Sequence, residues 1–206
     1  MPRFGADPHR FFESVYEGTA PWDIGGPQPA LVQLFAQYPL REPVLDVGSE
    51  SGDLSIWIGA QGHKVLGVDF VSAAVSQSQE RARSLPPDLV NNVAFRVGDA
   101  LRPSVFGRFG SIVDTGFYHL FDADECARFV AQLAAALEPA GRYYLLAFAV
   151  DLPAADVPRG VTEAELREHF NARDGWRILA LEPAEFESRV GGIPSICGCF
   201  ERTLGV

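Results

Sequence analysis

Val44-Leu45-Asp46-Val47-Gly48-Ser49-Glu50-Ser51-Gly52 is the stretch whose reading decides the fold. Its start is a short apolar run interrupted only by Asp46, as in a strand buried on both faces. Asp53–Ala60 beyond it reads as a helix. A strand that passes through Gly-x-x-x-Gly into a helix leaves free backbone N–H groups at the helix start. Glycine lets a ligand approach that backbone closely. Such donors suit a ligand carboxylate, and Asp46 beside them suits an ammonium. The dinucleotide-binding loop spaces its glycines as G-x-G-x-x-G, which this loop does not match.

Outward from this loop, short apolar runs alternate with helix-like stretches. The runs are Val44–Val47, Lys64–Val68, Val93–Val97, Ser111–Val113, Tyr143–Val150, Arg177–Leu181 and Ser195–Phe200. Helices are expected at Asp53–Ala60, Ser72–Ser84, Asp122–Leu137 and Thr162–Phe170. That rhythm predicts an α/β fold, a Rossmann-like doubly wound sheet of seven strands. No helix is evident between the last two runs, so Glu182–Pro194 joins an antiparallel pair and the final strand runs against the rest. Ser72 and Asp122 read as helix caps, Pro86-Pro87 as a stop, and Thr162-Glu163-Ala164-Glu165 as a capping box. Glu138-Pro139-Ala140-Gly141 reads as the end of a helix. Ahead of the core, Arg10–Tyr16 and Ala30–Gln37 look helical and flank a Gly/Pro-rich loop with Trp22 at its centre. This segment is expected to be a lid. The whole chain, 1–206, reads as a single domain, with 1–40 the lid and helices and 41–206 the ligand-binding core.

Three further motifs lie at strand ends. Val65-Leu66-Gly67-Val68-Asp69 ends an apolar strand in an acid that can accept two ribose hydroxyls or cap the next helix. Asp99, in Val97-Gly98-Asp99-Ala100, can accept an adenine amino group while the Ala100 N–H reaches a ring nitrogen. Alternatively it is a turn residue. Asp114 follows the fourth run and either closes the sheet or lines the site, with Tyr118 and His119 just beyond. Ligands bind at that carboxyl edge of α/β sheets.

Composition narrows the function. The formal net charge is −10, and the one basic cluster, Arg81 with Arg83, sits on an expected exposed helix. Nucleic acid is therefore not the expected partner, because phosphates require Lys and Arg. No apolar run is long enough to span a membrane, and Met1–Arg10 does not read as a signal peptide, so the cytoplasm is the expected compartment. Three cysteines, Cys126, Cys197 and Cys199, do not make a disulfide framework. Cys197 and Cys199 lie two apart on an expected strand, share a face and read as core. No metal site is expected.

The ordered set Asp46, Gly48, Gly52, Asp69, Asp99 and Asp114 resembles the class I S-adenosylmethionine (SAM)-dependent methyltransferases, over Val44 to Thr203. Ala20-Pro21-Trp22-Asp23-Ile24-Gly25-Gly26-Pro27-Gln28-Pro29 is similar to a segment of the thiopurine and thiol methyltransferase group and of actinobacterial heterocyclic-toxin methyltransferases. The resemblance implies SAM as cofactor, held by Trp22, Asp46, Gly48, Gly52, Asp69, Asp99, Ala100 and Asp114, with Gln28 a further contact. It implies a small-molecule acceptor, a heterocyclic or phenolic metabolite methylated on O, N or S. His119 is the candidate base, because imidazole titrates near neutrality, with Tyr118 and Asp23 behind it. Phe117, Phe186, Ile193 and Trp22 fit an apolar pocket. Two positions depart from the family pattern. Glu50 stands where the loop has its middle glycine, and Gly110 stands where an Asp precedes the fourth strand. Glu50 supports an alternative, a SAM-binding protein of this fold without transferase activity. A NAD-dependent oxidoreductase is a more distant reading.

Overall fold

The computed structural model describes residues 20–153 and 157–203, together with Phe11 and Gly18. Except at Phe11, the expected helix Arg10–Tyr16 lies outside the described residues, as does Met1–Arg10. Seven strands form one sheet: β1 Val44–Val47, β2 Val65–Asp69, β3 Val93–Val97, β4 Phe109–Thr115, β5 Leu137–Phe148, β6 Trp176–Phe186 and β7 Ile193–Arg202. Their order is β3-β2-β1-β4-β5-β7-β6. The first five pair in parallel, and β7 runs antiparallel to both β5 and β6. The helices are α1 Pro29–Gln37, α2 Asp53–Ala60, α3 Ser72–Ala82, α4 Ala123–Ala136 and α5 Glu163–His169.

Strand periodicity decides which face each side chain serves. Along β5, Tyr143, Leu145 and Ala147 join one apolar cluster, while Tyr144, Leu146 and Phe148 join the other. Successive side chains on a strand point to opposite faces, so a central strand covered twice reads as continuously apolar. On the first face, Phe170 stacks on Phe200 at 4.1 Å between ring centroids and on Tyr143 at 5.5 Å. Full burial of one such ring stabilises the fold by about 2 kcal/mol. On the second face, Leu31, Leu34 and Phe35 of α1 pack with Leu54 and Ile58 of α2. Cys197 and Cys199 are buried in that second cluster, where burial pushes both thiols up to about 12.

Several local expectations are corrected. Ser72 does not cap α3. Val71 holds the cap position in extended backbone, and its N–H donates to Asp69 Oδ1 at 2.8 Å. Asp122 does cap α4, with a full capping box to Glu125. Thr162 caps α5 through the Glu165 N–H, but the Glu165 carboxylate serves Arg159 and Tyr118 instead of closing the box. Glu138–Gly141 belongs to β5, which begins at Leu137 with Ala140 at φ +62. The final strands are longer than their apolar cores, so the joining loop shrinks to 187–192. Gly110 lies inside β4, where a Cβ would sit 2.6 Å from the Glu42 carbonyl oxygen. No helix among the described residues is long and apolar enough to cross a membrane.

Candidate active site

The sheet reverses direction of growth at β1, which lies between β2 and β4. At such a switch point the loops leave in opposite directions and open a crevice beyond the strand ends. Val47, Asp69 and Thr115 end the three strands there.

The 48–52 loop is fixed by backbone and side-chain bonds. Gly48 and Ser49 N–H groups donate to the Val68 carbonyl at 2.9 and 3.0 Å, and Gly52 N–H donates to Ser49 at 2.8 Å. Gly48 (φ +67) would place a Cβ 2.9 Å from the Phe117 ring, and Gly52 (φ +83) would place one 2.7 Å from the Phe95 ring. Both positions therefore require glycine for conformation and for space. Glu50 takes φ +48, a left-handed conformation costing a non-glycine residue about 1 kcal/mol. Its N–H donates to Asp69 Oδ2 at 3.1 Å, and its carbonyl accepts from Ser78 Oγ at 2.7 Å. Arg81 is not an open basic patch. It donates to the Ser51 carbonyl at 2.9 Å and pairs with Asp53, bracing the loop from α3.

The carboxylates divide into scaffold and lining. Asp114 is scaffold. Its oxygens accept from Phe117 N–H at 2.7 Å, from Tyr118 N–H at 3.0 Å and from Tyr143 Oη at 2.6 Å, so it closes the turn after β4. It lines none of the cavities described below, and the expected cofactor contact gives way to this turn. Burial pushes it up to about 7. Asp46 lines the crevice and accepts from Ser55 Oγ at 2.7 Å, and burial pushes it to about 7 also. Asp69 is buried at the crevice, where it both turns the chain at Val71 and anchors the Glu50 N–H. Asp99 is exposed and accepts from Leu101 N–H at 3.0 Å as a turn residue, while Ala100 beside it lines the crevice.

Three cavities that share lining residues lie at the crevice among the described residues. One lies among Trp22, Asp23, Asp46, Ser49 and Glu50. A second lies among Gly48, Asp69, Phe70, Ala100 and Phe117. The third, about 230 Å³, is walled by Trp22, His119, Phe148, Phe186, Val190 and Ile193. No Lys or Arg among the described residues lines any of the three. A surface of carboxylates without cations suits a positively charged ligand. Trp22 Nε1, Ser49 Oγ and Thr115 Oγ1 are buried without a hydrogen bond inside the protein, and all three residues line these cavities. Buried polar atoms are normally paired, so these donors are placed for a ligand.

The three candidate proton acceptors separate. Tyr118 is wholly buried and points away from the crevice, its hydroxyl 2.5 Å from His169 Nδ1 and 3.2 Å from Glu165. That placement corrects its candidacy, and burial raises its pKa well above the ordinary tyrosine value. Asp23 lines the first cavity and accepts from Gly25 N–H at 2.9 Å, away from the third cavity. His119 lines the third cavity. Its Nδ1 accepts the Phe148 N–H at 3.0 Å, which puts the ring proton of neutral imidazole on Nε2. Nε2 lies on the Gly116 side, 3.0 Å from where a Cβ there would stand.

The loop around Trp22, expected to be a lid, is pinned on both sides of that residue. Gln28 clamps Glu187, donating to its carbonyl at 2.9 Å and accepting its N–H at 2.8 Å, and Arg189 N–H donates to the Pro21 carbonyl at 2.9 Å. Gln28 thus joins the lid to the 187–192 loop while also lining the first cavity. Phe186, Ile193 and Trp22 wall the third cavity as their apolar character implies, whereas Phe117 lines the second. Sequence reasoning passed over Thr115, Phe148 and Val190. Thr115 carried one usable signal, its place immediately after Asp114 at a strand end.

Residues 44–141 match the family model of a methyltransferase domain. The chain is similar to the 2-heptyl-1-hydroxyquinolin-4(1H)-one methyltransferase of Mycobacteroides abscessus, at 29% identity over 192 residues, 88% of this chain and 82% of that protein. Among solved structures it superposes on one from work on the conversion of a disulfide bond into a thioacetal group during echinomycin biosynthesis. The TM-score is 0.80 at 25% identity, covering 96% of this chain and 94% of that one. The magnesium protoporphyrin IX methyltransferase of Synechocystis PCC 6803 with bound SAM superposes with a TM-score of 0.70, covering 97% and 99%. At 19% identity it bears on the fold alone.

Proposed function

We propose that the chain is a class I SAM-dependent methyltransferase that methylates an oxygen, nitrogen or sulfur nucleophile on a small heterocyclic or phenolic molecule. The observation that carries this reading is the third cavity, apolar and aromatic-walled, opening directly onto the carboxylate-lined crevice. Its volume of about 230 Å³ suits a flat ring system of modest size. The quinolone acceptor named for the Mycobacteroides abscessus relative is of that kind.

The residues present fit SAM. In this reading Asp46 would take the ammonium, the loop after β1 the methionyl carboxylate, Asp69 the ribose hydroxyls and Ala100 the adenine edge, with Asp99, an exposed turn residue outside the cavity lining, reaching the adenine amino group only from the rim. Trp22 covers the crevice from the lid, residues 1–40. Bound SAM supplies a methyl carbon already activated on a sulfonium. The chain's own work is then to align the acceptor and to exclude water. Phe148, Phe186 and Trp22 do the second. His119 orients the acceptor. Acceptors of this kind ionise readily, so a thiolate, a phenolate or an ionised hydroxy-heterocycle reaches the His119 wall of the cavity already as an anion. A separate strong base is then unnecessary.

A phosphate-bearing substrate meets no Lys or Arg among the described residues of these cavities, which supports a small molecule over nucleic acid. The chain would work in the cytoplasm, where its buried free thiols stay reduced. The test is incubation with SAM and a panel of hydroxyquinolones, phenols and aryl thiols, read by mass spectrometry for products carrying one added methyl group. SAM binding without any methylated product across the panel would favour the alternative, a cofactor-binding protein without transferase activity, with Glu50 as the lesion.

A further inference from the structure

Among the described residues, only Glu50 and Thr115 line all three cavities. This inference rests on the reading of the crevice as a SAM site. In SAM the sulfur carries three carbons, leading to the amino-acid portion, to the nucleoside and to the methyl group that leaves. A molecule with those arms in the three cavities has its sulfur where they meet.

We infer that the Glu50 carboxylate faces the sulfonium and makes the protein select charged SAM over its uncharged product, S-adenosylhomocysteine. The surroundings of Glu50 explain why a cation is wanted there. Its carboxyl is desolvated by burial and faces Asp69, Asp46 and Asp23, and together these push its pKa well above the ordinary glutamate range. The Trp22 indole opposes that rise without completing a hydrogen bond of good geometry. His119 is the titratable group across the third cavity. A positive charge brought to this point relieves the repulsion and is attracted more strongly than it would be in water. The left-handed backbone at φ +48 shows what the protein tolerates to place a carboxylate here. Once the methyl leaves, the sulfur is a neutral thioether and the attraction is gone. Glu50 therefore strengthens substrate binding and eases product release, and it does not speed the chemical step.

The experiment is calorimetric titration of the whole protein with SAM, S-adenosylhomocysteine and sinefungin, whose amine carries a positive charge near the transferable methyl position. The wild type and Glu50→Gln, which keeps size and shape, are compared at pH 8. Wild type is expected to bind SAM and sinefungin about tenfold or more tightly than S-adenosylhomocysteine, since a single charge contact in a desolvated site is worth at least one decade. Glu50→Gln is expected to bring both ratios close to one with S-adenosylhomocysteine affinity nearly kept. Ratios unchanged in Glu50→Gln while all three ligands bind overturn the inference alone. A wild type that takes none of the three overturns the SAM-site reading itself, and this inference with it. Should Glu50→Gln fail to fold, the wild-type ratio measured from pH 5.5 to 8.5 decides. It rises as the carboxyl ionises, and a flat ratio overturns the inference.

Discussion

The proposed cofactor wall and the proposed acceptor cavity of this cleft are built in opposite ways. The cofactor wall is made at the ends of β1, β2 and β4, each within a few residues of its own strand: Asp46 to Gly52, Asp69 to Val71, and Thr115. It is acidic, and its conformation is held by backbone bonds and by two glycines that cannot be replaced without collision. The acceptor cavity draws Trp22, His119, Phe148, Phe186 and Val190 from parts of the chain far apart in sequence, and its surface is mostly aromatic and aliphatic. The first wall is rigid because turn chemistry fixes it locally. The second depends on how the lid meets the 187–192 loop, through Gln28 with Glu187 and Pro21 with Arg189. Within one site, recognition of the constant cofactor is written locally, and recognition of the variable acceptor is written in long-range contacts.

The sharpest way to break the cofactor wall is Gly52→Val. A side chain there must displace the Phe95 ring and adopt φ +83. We expect about 3 kcal/mol of lost stability, from backbone strain plus overpacking, and no measurable SAM binding. Denaturant melts and titration check both, and a stable variant that binds SAM normally would show that the loop is softer than its contacts imply. Asp69→Asn comes next. It removes the charge proposed to face the ribose and weakens the anchor of the Glu50 N–H, so SAM affinity should fall roughly a hundredfold, about 2.7 kcal/mol.

Proton linkage gives a third test of the same wall. Burial raises Asp46 from 3.8 to about 7, so the folded state holds a proton that the unfolded state has released across that window. Its stabilising contribution is complete below about pH 4 and is lost as pH rises through 7. Asp46→Asn should therefore flatten the fall of stability with pH by about 1.4 kcal/mol per pH unit between pH 4 and 7. Identical slopes in the two proteins would show that Asp46 titrates normally.

Two changes probe the acceptor side alone. His119→Ala should lower turnover on an identified acceptor by roughly tenfold, the scale of one lost orienting hydrogen bond, and leave SAM affinity unchanged. Equal turnover in both proteins across pH would remove His119 from the reaction. Val190→Ser, at the cavity mouth where Val190 is 87% exposed, should raise the acceptor KM by only two- to fivefold, about the effect of losing one small apolar contact. If it changes SAM affinity instead, the division between the two walls is wrong.

The succession of strands along the chain and the antiparallel end of the sheet were legible because apolar runs and glycine turns are local signals. The loop was legible for the same reason: Gly48 and Gly52 do take positive φ, and so does Glu50. What misled was the local signal with a competitor elsewhere in the fold. Ser72 had the chemistry of a cap, but Asp69 supplies the turn at Val71. Asp114 had the position of a ligand contact, but Tyr143, 29 residues on, returns beside it on β5 and consumes one of its oxygens. Tyr118 had the neighbourhood of a catalytic residue, but it sits one position before His119 and faces α5 instead of the cavity.

The sequence by itself determined the sheet and the edge of that sheet at which the candidate site lies. Periodicity, turn-forming glycines and strand-end acids act over distances of a few residues, and the chain's own covalent geometry enforces them. The tertiary structure alone decided which face each side chain of the 114–119 segment takes. It also decided that Arg81 braces the loop, that the lid locks to the 187–192 loop, and that three cavities converge on Glu50. Those outcomes depend on packing between segments from 28 to 159 residues apart, where burial and competition for hydrogen bonds choose among side chains that local sequence leaves equivalent.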